Sequence, residues 1–321
     1  WKPGQIRSMN GRFLMTLDVQ LTEGFARKLT WTPKEGLKTG GGIGLRTQLE
    51  LCEKSGAAPY LMTFILPTDE EIDHLMEYLG APADIGYGKL RAAHGHPQPW
   101  TEVFDKIYVE CANEMWNGLF TPQAFPGDPE LCGKLASRLF ARLKASPYNT
   151  RANIKGVAPG WAHSLYKSKD KATGAYTGYE NWTFRCIKKC REMDAVATAP
   201  SGYIGGWDGL TAVGQKDDEL FQNNLLYPAQ VFEPKLDEIE AMRADIRQSQ
   251  HREFEMIKYE AGPGYSLPNP QKPYSEEEEK IGKSLALGIA TLDNFLFVMA
   301  NNGNANYFLF TRGNNWSSHA M

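Results

Sequence analysis

Lys106-Ile-Tyr-Val-Glu110-Cys111-Ala-Asn113-Glu114-Met-Trp116-Asn117 opens with a short run of β-forming residues and closes with an amide, a carboxyl and a large ring. A run of this length bounded by polar residues reads as a buried strand. The residues after Glu110 then sit where the strand ends. A second stretch has the same form: Glu255-Met-Ile-Lys-Tyr259 followed by Glu260-Ala-Gly262-Pro-Gly264-Tyr265, whose glycines let the backbone turn sharply beside a carboxyl. Five further runs read as strands: Gln5–Met9, Tyr60–Phe64, Ile154–Ala158, Ala195–Ala199 and Asn306–Phe310.

Helical segments fall between them, at Gly44–Ser55, Asp69–Leu79, Pro129–Lys144, Tyr179–Met193, Pro234–Gln250 and Glu276–Asn301. The last carries a capping box from Ser275 to Glu278 and apolar residues Ile281, Leu285, Ile289, Leu292, Leu296 and Met299 on one helical face, which predicts a buried helix. Strands alternating with helices predict an α/β protein with parallel strands and helical crossovers. Seven strands and six crossovers are one strand short of a (β/α)8 TIM barrel, so the expectation is a single barrel domain over 1–321 whose first βα unit precedes Trp1. An open doubly wound sheet is the alternative, but Gly40-Gly41-Gly42-Ile43-Gly44 follows a polar loop and does not match the dinucleotide-binding pattern. The long connections Asn10–Gly44 and Pro200–Pro234 are expected to wall a cleft, and Tyr265–Tyr274, with its prolines, reads as a surface loop.

Composition narrows the function. The 321 residues hold 35 Lys and Arg against 38 Asp and Glu, and this absence of basic excess argues against a nucleic-acid partner held by phosphate contacts. The apolar stretch Ser284–Ala300 is interrupted by Asp293 and Asn294, so no membrane insertion is expected. Cys52, Cys111, Cys132, Cys186 and Cys190 form no paired Cys-x-x-Cys pattern, which predicts buried free thiols and no metal. The sequons Asn181-Trp-Thr183 and Asn315-Trp-Ser317 point towards export, hence an extracellular or secretory location. Aromatic residues make up 12%, a supply of flat apolar rings suited both to core packing and to stacking on sugars.

In a parallel barrel the reacting groups lie at the C-terminal ends of the strands. Glu114 and Glu260 would each follow such an end, and two opposed carboxyls are the minimum equipment for hydrolysing an acetal. Taken singly, either glutamate fits equally well as a salt-bridged structural residue.

The run Ile107–Asn117 resembles the strand-four motif of the clan A glycoside hydrolases, and Lys258-Tyr-Glu-Ala-Gly262 resembles their strand-seven motif. The resemblance spans strands two to eight and implies a retaining enzyme on a (β/α)8 barrel that forms a covalent glycosyl-enzyme. It makes Glu114 the general acid/base, Asn113 the amide that holds the substrate 2-hydroxyl, and Glu260 the nucleophile. Retention needs the two carboxyls about 5–5.5 Å apart, whereas inversion needs roughly 6.5–9.5 Å. Glu114 should be protonated near neutral pH and Glu260 charged.

Arg7 stands in Ile6-Arg-Ser-Met-Asn10, where many clan members place an arginine beside the nucleophile; an arginine at the closed end of the barrel or on its surface fits the sequence as well. Tyr203 follows the strand Ala195–Ala199, a region from which the clan often supplies a tyrosine donor. Trp316 lies beyond the last strand, where members often present a sugar-stacking ring. Trp116, Trp161 and Trp207 also follow strand ends and could build subsites or pack in the core. His163, just beyond Ile154–Ala158, could line the cleft or be an incidental loop residue. The expected function is hydrolysis of a β-linked glycan, an oligosaccharide or polysaccharide, with no cofactor. A carbohydrate-binding or structural protein on the same barrel is the first alternative. An isomerase or aldolase is the second, though it would call for a cleft lysine or a phosphate site.

Overall fold

The computed structural model describes residues 4–8, 16–22, 30–32, 36–38, 43–64, 66–118, 124–198, 203–204, 216, 218–219, 222, 233–263, 285–300 and 304–307. They cluster in two compact units, Trp1–Gly160 with Glu180–Val196, and Trp161–Tyr179 with Ala197–Met321. Among the described residues no helix is long and apolar enough to cross a membrane.

The first unit is a parallel sheet with helical crossovers. Its strands are β1 (Gln5–Arg7), β4 (Ala58–Thr63), β5 (Ile107–Cys111) and β6 (Ile154–Pro159), adjacent in that order and parallel throughout. The antiparallel pair β2 (Thr30–Thr32) and β3 (Gly36–Lys38) and the short helix α1 (Leu17–Leu21) lie in the first long connection, which therefore contains ordered elements between β1 and the next crossover. Every residue of β5 is buried, as a strand covered on both faces should be.

The crossovers form where the chain supplies caps and an apolar stripe. Helix α2 (Leu45–Ser55) ends at Gly56, whose φ of 68° is the left-handed turn glycine makes without strain. The buried Gln48 amide donates to the carbonyls of Ile6 and Tyr60, tying α2 to two neighbouring strands. Helix α3 (Asp69–Gly80) opens on a complete capping box between Thr68 and Glu71. Two elements absent from the sequence-based reading follow it, α4 (Gly86–Ala93) and α5 (Trp100–Val103). Arg91 of α4 is fully buried, and its guanidinium donates to five carbonyls, those of Glu77, Tyr78, Ala81, His96 and Pro97.

Helix α6 (Pro129–Ala145) starts at the cap Asp128 with Pro129 in its first turn. It packs against α7 (Trp182–Lys189), and Gly133 marks their closest approach. A Cβ on Gly133 would fall 2.0 Å from the Cys186 carbonyl oxygen, so Gly133→Ala must push two backbones apart. The expected cost is about 3 kcal/mol, read as a lowered urea midpoint with an unchanged slope.

Helix α7 begins later than the sequence predicts. The segment expected to start it at Tyr179 is instead strand β8 (Tyr176–Glu180), which forms a two-stranded ribbon with β7 (Lys167–Lys169). The alternating Tyr176-Thr-Gly-Tyr sequence favours an extended backbone, and the helix then starts after Asn181, which keeps an extended backbone at the N-cap position.

In the second unit, β11 (Glu255–Pro263) lies between β10 (Tyr203–Ile204) and β12 (Asn304–Tyr307), and both pairings are parallel. Helix α8 (Glu233–Gln250) precedes β11, and strand β9 (Ala195–Thr198), wholly buried, has its first two residues in the first unit and its last two in the second. The apolar face of α9 (Leu285–Ala300) is not buried as expected: Leu285 is 81% exposed and Met299 66%, while Ala290, Thr291 and Asn294 are buried. Small and polar side chains take the inward face of this helix, because they allow a closer approach than a row of leucines. The predicted cap at Ser275 and the loop Tyr265–Tyr274 lie outside the described residues.

Candidate active site

The mouth of β5 is built by a strained turn. Ala112 and Glu114 both have positive φ, 57° and 46°, where side chains crowd the backbone and non-glycine residues are uncommon. Such strain persists only where the surroundings hold it, and it gathers at functional sites. The turn leaves Asn113 buried and Glu114 half-buried. Asn117 closes it: its backbone N–H donates to the Glu114 carbonyl at 2.8 Å, and its side-chain amide donates to Glu114 Oε2 at 2.7 Å.

Beneath the mouth runs a buried polar chain. Arg7 and Tyr60 are register partners across β1 and β4, and Tyr60 and Tyr108 across β4 and β5, so the three side chains share one row on one face of the sheet. Glu110, two residues past Tyr108, lies on that face one step nearer the mouth. Arg7 Nε donates to Glu110 Oε2 at 2.9 Å, and the terminal nitrogen of Arg7 lies 2.8 Å from the same oxygen. That nitrogen also donates to Asn113 Oδ1 at 2.9 Å. Burial pushes the Glu110 carboxyl above its usual range; the Arg7 cation opposes this, and the Glu114 carboxylate adds to it. The Tyr60 phenol is likewise pushed well up, first by burial and then by Glu110.

The first unit thus brings together Arg7, Asn113 and Glu114 of the residues singled out by sequence, with Glu110 and Asn117 as additions. Glu110 had a legible signal: a carboxylate inside an otherwise apolar buried strand must find a partner. Trp116 is half-buried beside them.

In the second unit Glu260 is half-buried in β11, at an irregularity of the sheet. Between Lys258 and Ala261 the chain advances three residues while its partner β12 advances two, from Ala305 to Tyr307. A bulge of this kind re-aims side chains, and bulges recur beside active sites. Tyr203 of β10 is the register partner of Gly262, two residues beyond Glu260. Trp161 is half-buried and His163 exposed; desolvation of its ring and then the Lys235 cation draw the His163 pKa down. Trp207 and Trp316 lie outside the described residues.

Lys258, just before the bulge, is pushed by burial from 10.5 down to about 7. Between these values the unfolded chain holds a proton that the folded chain does not, so stability rises with pH across that window and the penalty is complete below it. Lys258→Met is expected to raise stability at pH 7 by on the order of 3 kcal/mol and to flatten the slope between pH 7 and 10 in urea titrations. An unchanged slope would contradict this assignment.

No known family model matches the sequence, and no curated protein matches it. Solved structures do. The chain is similar to an alpha-L-arabinofuranosidase from Thermotoga maritima, with a TM-score of 0.62 and 16% identity over 96% of this chain and 55% of that one. A family 51 alpha-L-arabinofuranosidase from Bifidobacterium longum gives 0.63 and 13% over 95% and 58%. A Paenibacillus polymyxa xyloglucanase from glycoside hydrolase family 44 gives 0.56 and 12% over 99% and 72%. The chain therefore spans little more than half the length of the arabinofuranosidases it matches. At such identities the likeness is one of fold. Parallel strands crossed by helices, with nearly the whole chain superposing on these structures, make this a (β/α) barrel fold of the kind they share.

Proposed function

We propose that the chain is the catalytic domain, over 1–321, of a retaining glycoside hydrolase that cleaves a β-linked glycan by double displacement. The observation that carries this reading is the strained mouth of β5, which presents Glu114 beside an Asn113 amide gripped by Arg7. In the first step Glu114 gives its proton to the departing glycosidic oxygen while Glu260 attacks the sugar carbon, forming an ester and releasing the aglycone. In the second, Glu114 takes a proton from water, which attacks the same carbon and frees Glu260. Arg7 would help keep Glu260 ionised, and Tyr203 would donate to it. Trp116, Trp161, Trp207, Trp316 and His163 would line sugar subsites, the indoles by stacking. No cofactor takes part.

The substrate is an oligosaccharide or polysaccharide met outside the cell, and turnover degrades it. Both the parent and its variants should be assayed on aryl β-glycosides and on aryl α-L-arabinofuranosides, since solved neighbours carry the latter activity in their names. Treatment with a 2-fluoro glycosyl fluoride of the sugar that is cleaved should add one sugar mass to the peptide containing Glu260. Label on another residue would overturn the assignment. Glycan binding without hydrolysis of any panel member would favour a binding-only barrel.

A further inference from the structure

We propose that Glu110 is a positioning residue, holding the Asn113 amide in its working orientation through Arg7; this rests on the glycosidase reading above. An asparagine side chain can turn over, exchanging its donor and its acceptor. Only one orientation offers N–H groups to a sugar hydroxyl. A cation on Asn113 Oδ1 selects that orientation, because a guanidinium has donors alone. The guanidinium in turn needs a fixed address. Glu110 supplies it by accepting both Arg7 Nε and the terminal nitrogen that reaches Asn113, at 2.9 and 2.8 Å.

The relay is largely withdrawn from water: Glu110 is 1% exposed, Tyr60 0%, Asn113 3% and the Arg7 side chain 5%. The Arg7 guanidinium carbon lies over the Tyr60 ring, 5.5 Å from its centroid. Without Glu110 the Arg7 guanidinium would lose the carboxylate that fixes its place. Glu110 does not itself touch the sugar in this scheme. Its contribution is transmitted through two hydrogen bonds to the group that does.

The test uses the full chain and a nitrophenyl glycoside that it cleaves, together with the 2-deoxy counterpart. Glu110→Gln should lower kcat on the hydroxylated substrate about tenfold to hundredfold, with little change in KM, and leave the 2-deoxy substrate within about twofold. In an Asn113→Ala background the same change should add no further loss. Equal losses on both substrates would mean a merely structural role and would overturn the proposal.

If Glu110→Gln fails to fold, Glu110→Asp keeps the charge and draws the carboxylate back from Arg7 by one methylene. Glu110→Asp must then show a smaller loss with the same dependence on the 2-hydroxyl. A readout independent of turnover is the side-chain 15N resonance of Asn113, identified by its disappearance in Asn113→Asp. It should be ordered in the parent and motionally averaged in Glu110→Gln. Unchanged order would overturn the relay, even in a parent that hydrolyses nothing, whereas absence of hydrolysis with the expected loss of order would sink the glycosidase reading alone.

Discussion

Replacing Glu260 by alanine is expected to lower kcat on aryl glycosides by about 10⁴-fold or more, since in the proposed scheme its carboxylate forms the glycosyl ester. Glu114→Ala should behave differently. Its proton matters in proportion to how poor the leaving group is, so an alkyl or sugar aglycone should suffer the full loss of roughly 10²–10⁴-fold. A dinitrophenolate departs unaided and should be released at nearly the parental rate in the first turnover. The second step then stalls, because water lacks its base. Azide, an anion that needs no deprotonation, should restore turnover in Glu114→Ala and yield a glycosyl azide of the substrate's own configuration. Near-parental rates in both variants, on a substrate the parent hydrolyses, would end the two-carboxyl scheme.

Arg91→Met is expected to be the most damaging single substitution for stability, costing about 3–5 kcal/mol. The methionine fills much of the space but leaves five carbonyls without the donors that hold the end of α3 and the turns on either side of α4. Arg91→Lys should recover less than half of the loss, because one ammonium has three N–H groups and no planar fork. Urea denaturation followed by circular dichroism reads both variants. A cost below about 1 kcal/mol for Arg91→Met would show that water replaces the guanidinium at those carbonyls.

Much of the architecture could be read from the chain because each inner strand is a short apolar run with a capped amphipathic helix between it and the next. Ile107–Cys111 and Ile154–Pro159 fall within a residue of their expected bounds for this reason. The missed elements are those decided by distant partners. Helix α4 is short and weakly amphipathic, and it is fixed by an arginine whose acceptors lie on both sides of it in the chain. Strand β8 runs directly into a helix, and its pairing with β7 is what separates the two. The α9 leucines show where apolar surface is, but spacing alone does not say which side of a helix meets the sheet.

The site divides in the same way. Asn113 and Glu114 were legible because a strand end fixes their place, and Arg7 because it lies in a strand. What Arg7 grips was not legible, since its contacts to Glu110 and Asn113 span 103 and 106 residues of sequence. The bulge that carries Glu260 leaves no sequence mark beyond the glycine that follows it.

All five cysteines are buried and unbridged, burial pushes four of the thiols up (Cys52 and Cys132 to about 12), and all five belong to the first unit. A thiol reagent added to the native protein therefore meets no target until a segment opens. Cys52, Cys111, Cys132 and Cys186 sit in four different elements, so the order in which a disulfide dye labels them is a map of which parts of that unit breathe first, written by the chain's own sulfur without any inserted probe.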